Sequence, residues 1–368
     1  MSTSDALTVL HVDTERGWRG GQRQVLWLAM HMRALGHRPI VVARAGEALA
    51  QRLAEQGIQV LPVRPVTELD PFAAAALRRV IRRDGIHVVH AHAGHAVALA
   101  ALAARGTPAR MIVTRRVNLP LRANMGTRWK YSRADRIIAV SQAVAETLKS
   151  GGWPSERVDV IPSGVDPERT VEDLAPGTLD ELGIPAGAPW VIQVGALDQS
   201  KDPLTFVRAI AAASREVPGL HAVMCGEGPL WITIEREIAS LGLEGVVHLP
   251  GYRNDADALI TAASVATLSS EEEGLGTVLI DALALGTPVA ATAAGGIPEV
   301  VQDGVSGLLV PIGEPSLLGA AIVRLIQDGE LASRLSAAGR LRAAEFSARR
   351  TAERTIEVYR KVLSRVAG

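Results

Sequence analysis

Two α/β domains, each built on a parallel sheet, are the fold this sequence predicts. Apolar, β-branched runs alternate with segments of helical period along the whole chain, the signature of successive βαβ units. At 368 residues and 48% apolar content the chain exceeds the usual size of one domain. A break at 166–189, with four prolines, several acids and weak periodicity, separates two such series.

Each element has its own signal. The first series places strands at 7–12, 39–43, 88–91, 110–114, 136–140 and 158–162, and the second at 190–194, 221–225, 246–249, 265–268, 288–292 and 307–310. Two six-strand sets are therefore expected. Between the first two strands, Val25, Leu28, Ala29, Met32 and Leu35 recur at helical spacing, and Gly36 supplies a C-terminal stop. The break reads as a linker with a short helix inside it. A last helix, roughly 344–366, carries Val358, Val362 and Val366 with charges between them.

Composition narrows the function classes. No charge-poor apolar span matches a membrane helix, since the longest candidate, 277–298, contains Asp281, Pro288 and the Gly295-Gly296 pair. The N-terminus leads into a strand with no basic leader, so a cytoplasmic protein is expected. The lone Cys225, in an apolar run, reads as a small buried hydrophobe rather than a metal ligand. Net charge is zero, yet residues 1–168 hold 23 Lys and Arg against 14 Asp and Glu, and the remainder holds 16 against 25. Arg115, Arg116, Arg122, Arg128, Lys130, Arg133 and Arg136 crowd together with only Asp135 to oppose them. This reads either as a surface for anionic lipid or a phosphorylated acceptor, peripheral on the inner face of a membrane, or as a solvated face. Few aromatics interleave with these residues, which argues against nucleic acid.

The stretch Glu273-Gly-Leu-Gly-Thr-Val-Leu-Ile-Asp281 carries the most chemistry. Gly274 and Gly276 permit positive φ and close backbone approach, and the first helical amides, about Gly276, Thr277 and Val278, lack intrahelical acceptors. That is an anion site. Asp281 is the only charge between Gly274 and Pro298, so a buried carboxylate there needs a partner, and a sugar hydroxyl pair would serve.

Three segments occur in order: Gly17-Trp18-Arg19-Gly20-Gly21 after the first strand, Gly195-Ala-Leu-Asp-Gln-Ser-Lys201 after the first strand of the second series, and the Glu273 stretch with Gly295-Gly-Ile-Pro-Glu299 behind it. Together with Pro162-Ser-Gly-Val-Asp166 and Gly226-Glu-Gly-Pro229, this set resembles the family-4 retaining glycosyltransferases of the GT-B fold, from the first strand to the last helix. The resemblance implies two Rossmann-like domains facing across a cleft. It implies an acceptor-side domain at 1–168, a linker at 169–187, a nucleotide-sugar domain at 188–345, and a helix at 346–368 crossing back to the first domain. It implies sugar transfer from a UDP-, GDP- or ADP-sugar to a glycan or lipid acceptor, with retention, without cofactor or essential metal, in cell-envelope glycan or glycolipid synthesis.

The resemblance also assigns roles. Glu273 would contact donor-sugar hydroxyls and Asp281 the ribose, although Asp stands where the family carries a second Glu. Gly276, Thr277 and Val278 would offer amides to the distal phosphate, with Lys201 as the cation; the chain has only four lysines against 35 arginines. Ala196 follows Gly195 where the family commonly has an arginine, and Arg115 or Arg116 could compensate. His92, in His90-Ala-His92-Ala-Gly-His95, would orient the sugar through its carbonyl or ring. Gly20 and Gly21 would let backbone approach the diphosphate or acceptor. Tyr252 and Arg253 would contact the base, and Trp18, Arg19, Arg115, Arg116 and Lys130 the acceptor. Asp255-Ala-Asp257 imitates a metal motif of another architecture and reads instead as an acidic helix start. A nucleotide-sugar epimerase, a phosphorylase using pyridoxal phosphate, and a non-catalytic nucleotide-sugar sensor are the rival readings.

Overall fold

The computed structural model describes residues 6–65, 67–121, 124–166 and 169–364, and the chain divides into two compact units. The first comprises Met1–Asp166 and Ser347–Gly368, and the second Pro167–Phe346. Arg122 and Val366 lie outside the described residues.

The first unit holds a parallel sheet of β1 (Thr8–Val12), β2 (Arg38–Arg44), β3 (Gln59–Val63), β4 (Val88–Ala91), β5 (Arg110–Arg115), β6 (Arg136–Ala139) and β7 (Val158–Val160). Their order is β3-β2-β1-β4-β5-β6-β7. The sheet has seven strands, not the six expected from sequence. The additional one, β3, is an edge strand, half exposed and interrupted by Pro62, which weakens its strand signal. Inner strands such as β1 and β4 are buried along nearly their whole length, which is why they read as continuous apolar runs.

The last helix, Ala348–Ser364, belongs to this unit. Ala352, Ile356, Tyr359 and Val362 pack with Leu7, Val9, Met32 and Ile112 in one buried cluster. The chain re-enters beside Gly164, where a Cβ would lie 2.3 Å from the Ser347 carbonyl carbon, and Ala348 N donates to Val165 O at 2.8 Å. The glycine of Pro162-Ser-Gly-Val-Asp166 is thus required by close backbone approach.

The second unit holds β8 (Trp190–Val194), β9 (His221–Cys225), β10 (Val247–Gly251), β11 (Val265–Leu268), β12 (Val289–Thr292) and β13 (Leu308–Val310), in the parallel order β10-β9-β8-β11-β12-β13. Phe206, Ile210, Leu318 and Ile322 anchor its core. The helices Pro203–Ala213 and Pro315–Gln327 meet closely because Gly319 offers no Cβ, which would lie 2.8 Å from Ala209 O.

Tyr359 is fully buried and joins the returning helix to His90 by a 2.5 Å hydrogen bond. Tyr359→Ala is expected to lower stability by about 3–5 kcal/mol. Tyr359→Phe, which loses only the hydroxyl, should cost about 1–3 kcal/mol. Urea unfolding of both variants checks the ranking.

Candidate functional site

Chain order reverses between β1 and β4 in the first sheet and between β8 and β11 in the second. At such switch points the connecting helices leave on opposite faces, and a crevice opens beyond the carboxyl ends of the strands. The segments carrying Gly20, Gly21, His92, Gly195, Lys201 and Glu273 leave from these strands, whereas Arg115, Arg116 and Lys130 lie at or after the end of β5, and Tyr252 and Arg253 follow β10.

In the second unit, β8 leads into a 3₁₀ turn, Gln199–Lys201, started by Asp198, whose side chain accepts from Ser200 N at 3.1 Å. Asp202 follows with φ 40°, an unfavourable backbone for a non-glycine residue, and its side chain accepts from Thr205 N at 3.2 Å to start the next helix. The buried Ser269, just beyond β11, fixes this turn: its Oγ lies 3.0 Å from Lys201 O and 2.8 Å from Asp202 O. Lys201 Nζ pairs with Glu273 Oε2, and Ser270 Oγ donates to the same oxygen at 3.4 Å. The two switch-point loops thereby bring together the cation and the acid expected from sequence.

Gly276 begins the helix Thr277–Leu285 with φ 81° and ψ 51°. A Cβ there would sit 3.2 Å from Ile297 Cγ1 and 3.6 Å from Glu273 Cγ, so Glu273 lies beside the start of this helix. Behind it, Gly296 packs against the same loop, where a Cβ would lie 2.3 Å from Gly274 O. The tight position in the loop after β8 is Gly226, whose Cβ would fall 1.8 Å from Gly195 O; a Cβ at Gly195 itself would meet nothing closer than Lys201 Cγ at 3.9 Å. Tyr252 is exposed, its hydroxyl donating to Asn254 Oδ1 at 3.1 Å, and Arg253 is engaged by Asp255.

Asp281 is 1% exposed, and its partner is a cation that the sequence reading missed. Arg169 Nη2 donates to Asp281 Oδ1 at 2.9 Å while its Nε donates to Asp257 Oδ2 at 2.9 Å. Asp257, in the first turn of the helix Ala256–Ala262, therefore serves an ion-pair triad. The pairing answers the desolvation that the lone carboxylate posed. Arg169 is 112 positions from Asp281, and no local pattern marks it.

In the first unit, His11 of β1, His90 of β4 and His92 just after β4 form one buried cluster. Arg116 Nη2 lies 3.2 Å from His92 Nδ1, and a guanidinium can only donate, so His92 Nδ1 accepts and its proton sits on Nε2. His92 Nε2 is 2.9 Å from His11 Nδ1 and donates to it. His11 consequently carries its proton on Nε2, a buried donor with no acceptor among the described residues. His90 is held by Tyr359 and by Thr114 Oγ1 at 2.7 Å. Although nitrogens of the three rings lie within 4.8 Å of one another, both His92 nitrogens are committed and a guanidinium adjoins them, which opposes a metal cation. Burial holds all three imidazoles neutral, pushing His11 down to about 3 and His90 and His92 well below their usual range, with Arg116 adding repulsion. Burial likewise brings Arg116 down to about 10.

The remaining first-unit residues sort differently from their expected roles. Arg116 faces inward onto His92, and Arg115 Nη2 donates to Leu119 O at 2.6 Å. Lys130 is held by Glu68 at 2.8 Å. Gly20 opens the helix Gly20–Ala34, Arg19 caps it, and Gly21 places its Cβ position 3.8 Å from Arg116 Cδ. Trp18 lies under Arg52, 4.4 Å from the guanidinium carbon to the ring centre. Cys225 is buried, its thiol pushed up to about 12 by desolvation.

Residues 178–342 match the family "Glycosyl transferases group 1", and residues 18–169 match "Glycosyltransferase Family 4". D-inositol 3-phosphate glycosyltransferase of Saccharomonospora viridis is 31% identical over 299 residues, covering 78% of this chain and 67% of the relative. The lipopolysaccharide core biosynthesis glycosyltransferase LpsE of Rhizobium meliloti is 31% identical, over 58% of this chain and 60% of its own length. The chain thus spans about three-fifths to two-thirds of these relatives. Among solved structures, Alr3699/HepE of Anabaena in complex with UDP and glucose superposes with a TM-score of 0.85 at 22% identity, over 96% of this chain and 100% of that one. A glycosyltransferase from Rickettsia africae gives 0.82 at 21% identity, over 98% and 99%. The structural likeness establishes the fold.

Two outcomes follow from the buried charges. The unfolded chain protonates its histidines below the ordinary imidazole value of about 6.5 while the folded cluster stays neutral, so stability is full above that value and falls as pH drops. Each imidazole should contribute a loss of up to about 1.4 kcal/mol per pH unit, and His90→Gln should flatten the slope measured by thermal unfolding across pH 7 to about pH 5. Arg169→Ala removes a cation from the buried Asp281 and is expected to lower stability by about 3 kcal/mol, with Asp281→Asn in the same background restoring part of it in denaturant titrations.

Proposed function

The chain belongs to the group 1 and family 4 glycosyltransferases and has their GT-B fold, and on that premise we propose that it moves a sugar from a nucleoside-diphosphate donor to an acceptor hydroxyl in glycan or glycolipid synthesis. The observation that carries this reading is the meeting of Lys201 with Glu273 beside the N-terminus of the helix Thr277–Leu285. A donor diphosphate there gains the ammonium and the amides of Thr277 and Val278, groups that stabilise the charge growing on a leaving phosphate. When Lys201 turns to phosphate, the Glu273 carboxylate is released to accept from sugar hydroxyls.

The proposed chemistry is departure of the nucleoside diphosphate with oxocarbenium character, attack by the acceptor hydroxyl on the same face, and transfer of its proton to the leaving phosphate. Retention and independence from metal belong to this proposal. Asp281 is assigned the ribose end of the donor together with Arg169, which already sits on its carboxylate. Both ring nitrogens of His92 are committed, so its role is assigned to the main-chain carbonyl. The relatives named above are transferases, which leaves the epimerase and sensor readings without support. The acceptor is proposed to be a glycan or lipid and the setting cytoplasmic; among the described residues no helix is long and apolar enough to cross a membrane.

A thermal-shift panel of UDP-, GDP- and ADP-sugars should single out the donor, a ligand at about 100 times its Kd stabilising by about 2.7 kcal/mol. With that donor, Lys201→Ala and Glu273→Gln should each lower kcat by about a hundredfold or more. The product anomer, read by NMR, should keep the donor configuration, and a chelator should leave the rate unchanged. An inverted product or a covalent adduct on Glu273 rules the mechanism out.

A further inference from the structure

The first unit contains a small polar cavity. Its wall comes from the helix Gly20–Ala34, the carboxyl ends of β5 and β6, the segment after β7 and the returning helix Ala348–Ser364. Gln24, Thr114, Arg116, Ser163, Thr351 and Thr355 line it, and aliphatic side chains complete the wall. The space of about 20 Å³ matches one water or one monatomic ion.

Most of these polar groups already have partners. Gln24 Nε2 donates to Gly164 O at 2.7 Å, Thr351 Oγ1 to Pro162 O at 2.9 Å and Thr355 Oγ1 to Thr351 O at 2.7 Å, while Thr114 Oγ1 meets His90 Nε2. Two groups remain. Ser163 is 4% exposed, and its hydroxyl has no hydrogen-bond partner among the described residues. The Arg116 guanidinium uses only Nη2, on His92, and its Nε is buried with no acceptor among the described residues. Its charge also lacks a close counterpart. His92 is neutral and supplies a hydrogen bond without countercharge. Asp13 attracts the guanidinium through space but forms no ion pair with it; its Oδ1 accepts from Glu15 N at 3.0 Å, and burial pushes its own carboxyl up.

A metal cation in this cavity would be repelled by the guanidinium, and a water would accept a hydrogen bond while leaving the charge uncompensated. A small anion answers both needs. We propose that the cavity is a seat for a monatomic anion of chloride size, which accepts from the Arg116 guanidinium and the Ser163 hydroxyl and ties the returning helix to the sheet. Lys201, Glu273 and Asp281 take no part in it, so the seat stands or falls independently of sugar transfer.

Thermal unfolding of the full chain at fixed ionic strength, with sodium gluconate replaced stepwise by sodium chloride or bromide, tests the seat. The unfolding temperature should rise by about 2–4 °C and saturate, because the anion binds the folded chain alone. Ser163→Ala should raise the half-saturating halide concentration about fivefold, the effect of one lost hydrogen bond. Arg116→Gln should abolish the response, and if that variant does not fold, Ser163→Ala carries the test. Crystals soaked in bromide should show an anomalous peak within hydrogen-bond reach of Arg116 and Ser163. An unfolding temperature indifferent to the anion present, or a halide response that Ser163→Ala leaves unaltered, overturns the proposal. So does a bromide soak that leaves only a water in the cavity.

Discussion

Desolvation of a small set of charged side chains organises this protein. Asp281 lies in an apolar helix, Glu273 beside the start of that helix, and Arg116 next to three buried histidines. None could be buried without an answer from its surroundings. Arg169, Lys201 and His92 supply those answers. Each answer fixes a loop: the linker segment at Arg169, the turn after β8, and the loop after β5. The same pairings that permit burial therefore set the geometry of the candidate site.

The two units solve a common topological problem with different chemistry. Both reverse strand order once, and both place their special loops at the reversal. In the second unit the loops present a cation, an acid and helix amides, a combination suited to anionic groups. In the first unit the equivalent position holds a run of imidazoles kept neutral by burial, with protons ordered by one guanidinium. Such an array rigidifies the strand ends, because a ring that rotates would leave two donors facing each other.

Local patterns made much of this readable in advance. The inner strands announce themselves by continuous apolar runs, and Gly276 by its place between an acid and an apolar helix. Lys201 and Glu273 could be assigned to one site because each follows a strand end and each sits in a motif of known family form, although their ion pair was not foreseen. What escaped lacks a local signature. β3 is half exposed and carries Pro62, so its edge position hides it. Arg169 looks like one more polar residue in a linker, and only the fold brings it to Asp257 and Asp281. The arginine crowd from 115 to 136 read as one surface, yet Arg116 turns inward, Arg136 is buried against Asp159, and Lys130 is consumed by Glu68. Charge counted along a sequence says little about charge that reaches solvent.

Ala196 stands where the family resemblance sets an arginine. An arginine there would bring a second cation into the loop after β8, and the sequence alone left Arg115 and Arg116 as substitutes. Both are engaged within the first unit, Arg115 by Leu119 O and Arg116 by His92. Within the second unit, Arg169 is a guanidinium already held on the helix that Gly276 begins, through Asp281. Its charge is shared with two carboxylates, so it cannot act as a bare cation, and Lys201 is left as the compact charge beside the start of that helix. The donor site proposed above would, so arranged, rely more on helix amides than on paired cations. Those amides depend in turn on the left-handed backbone at Gly276, which a side chain would strain and crowd against Ile297.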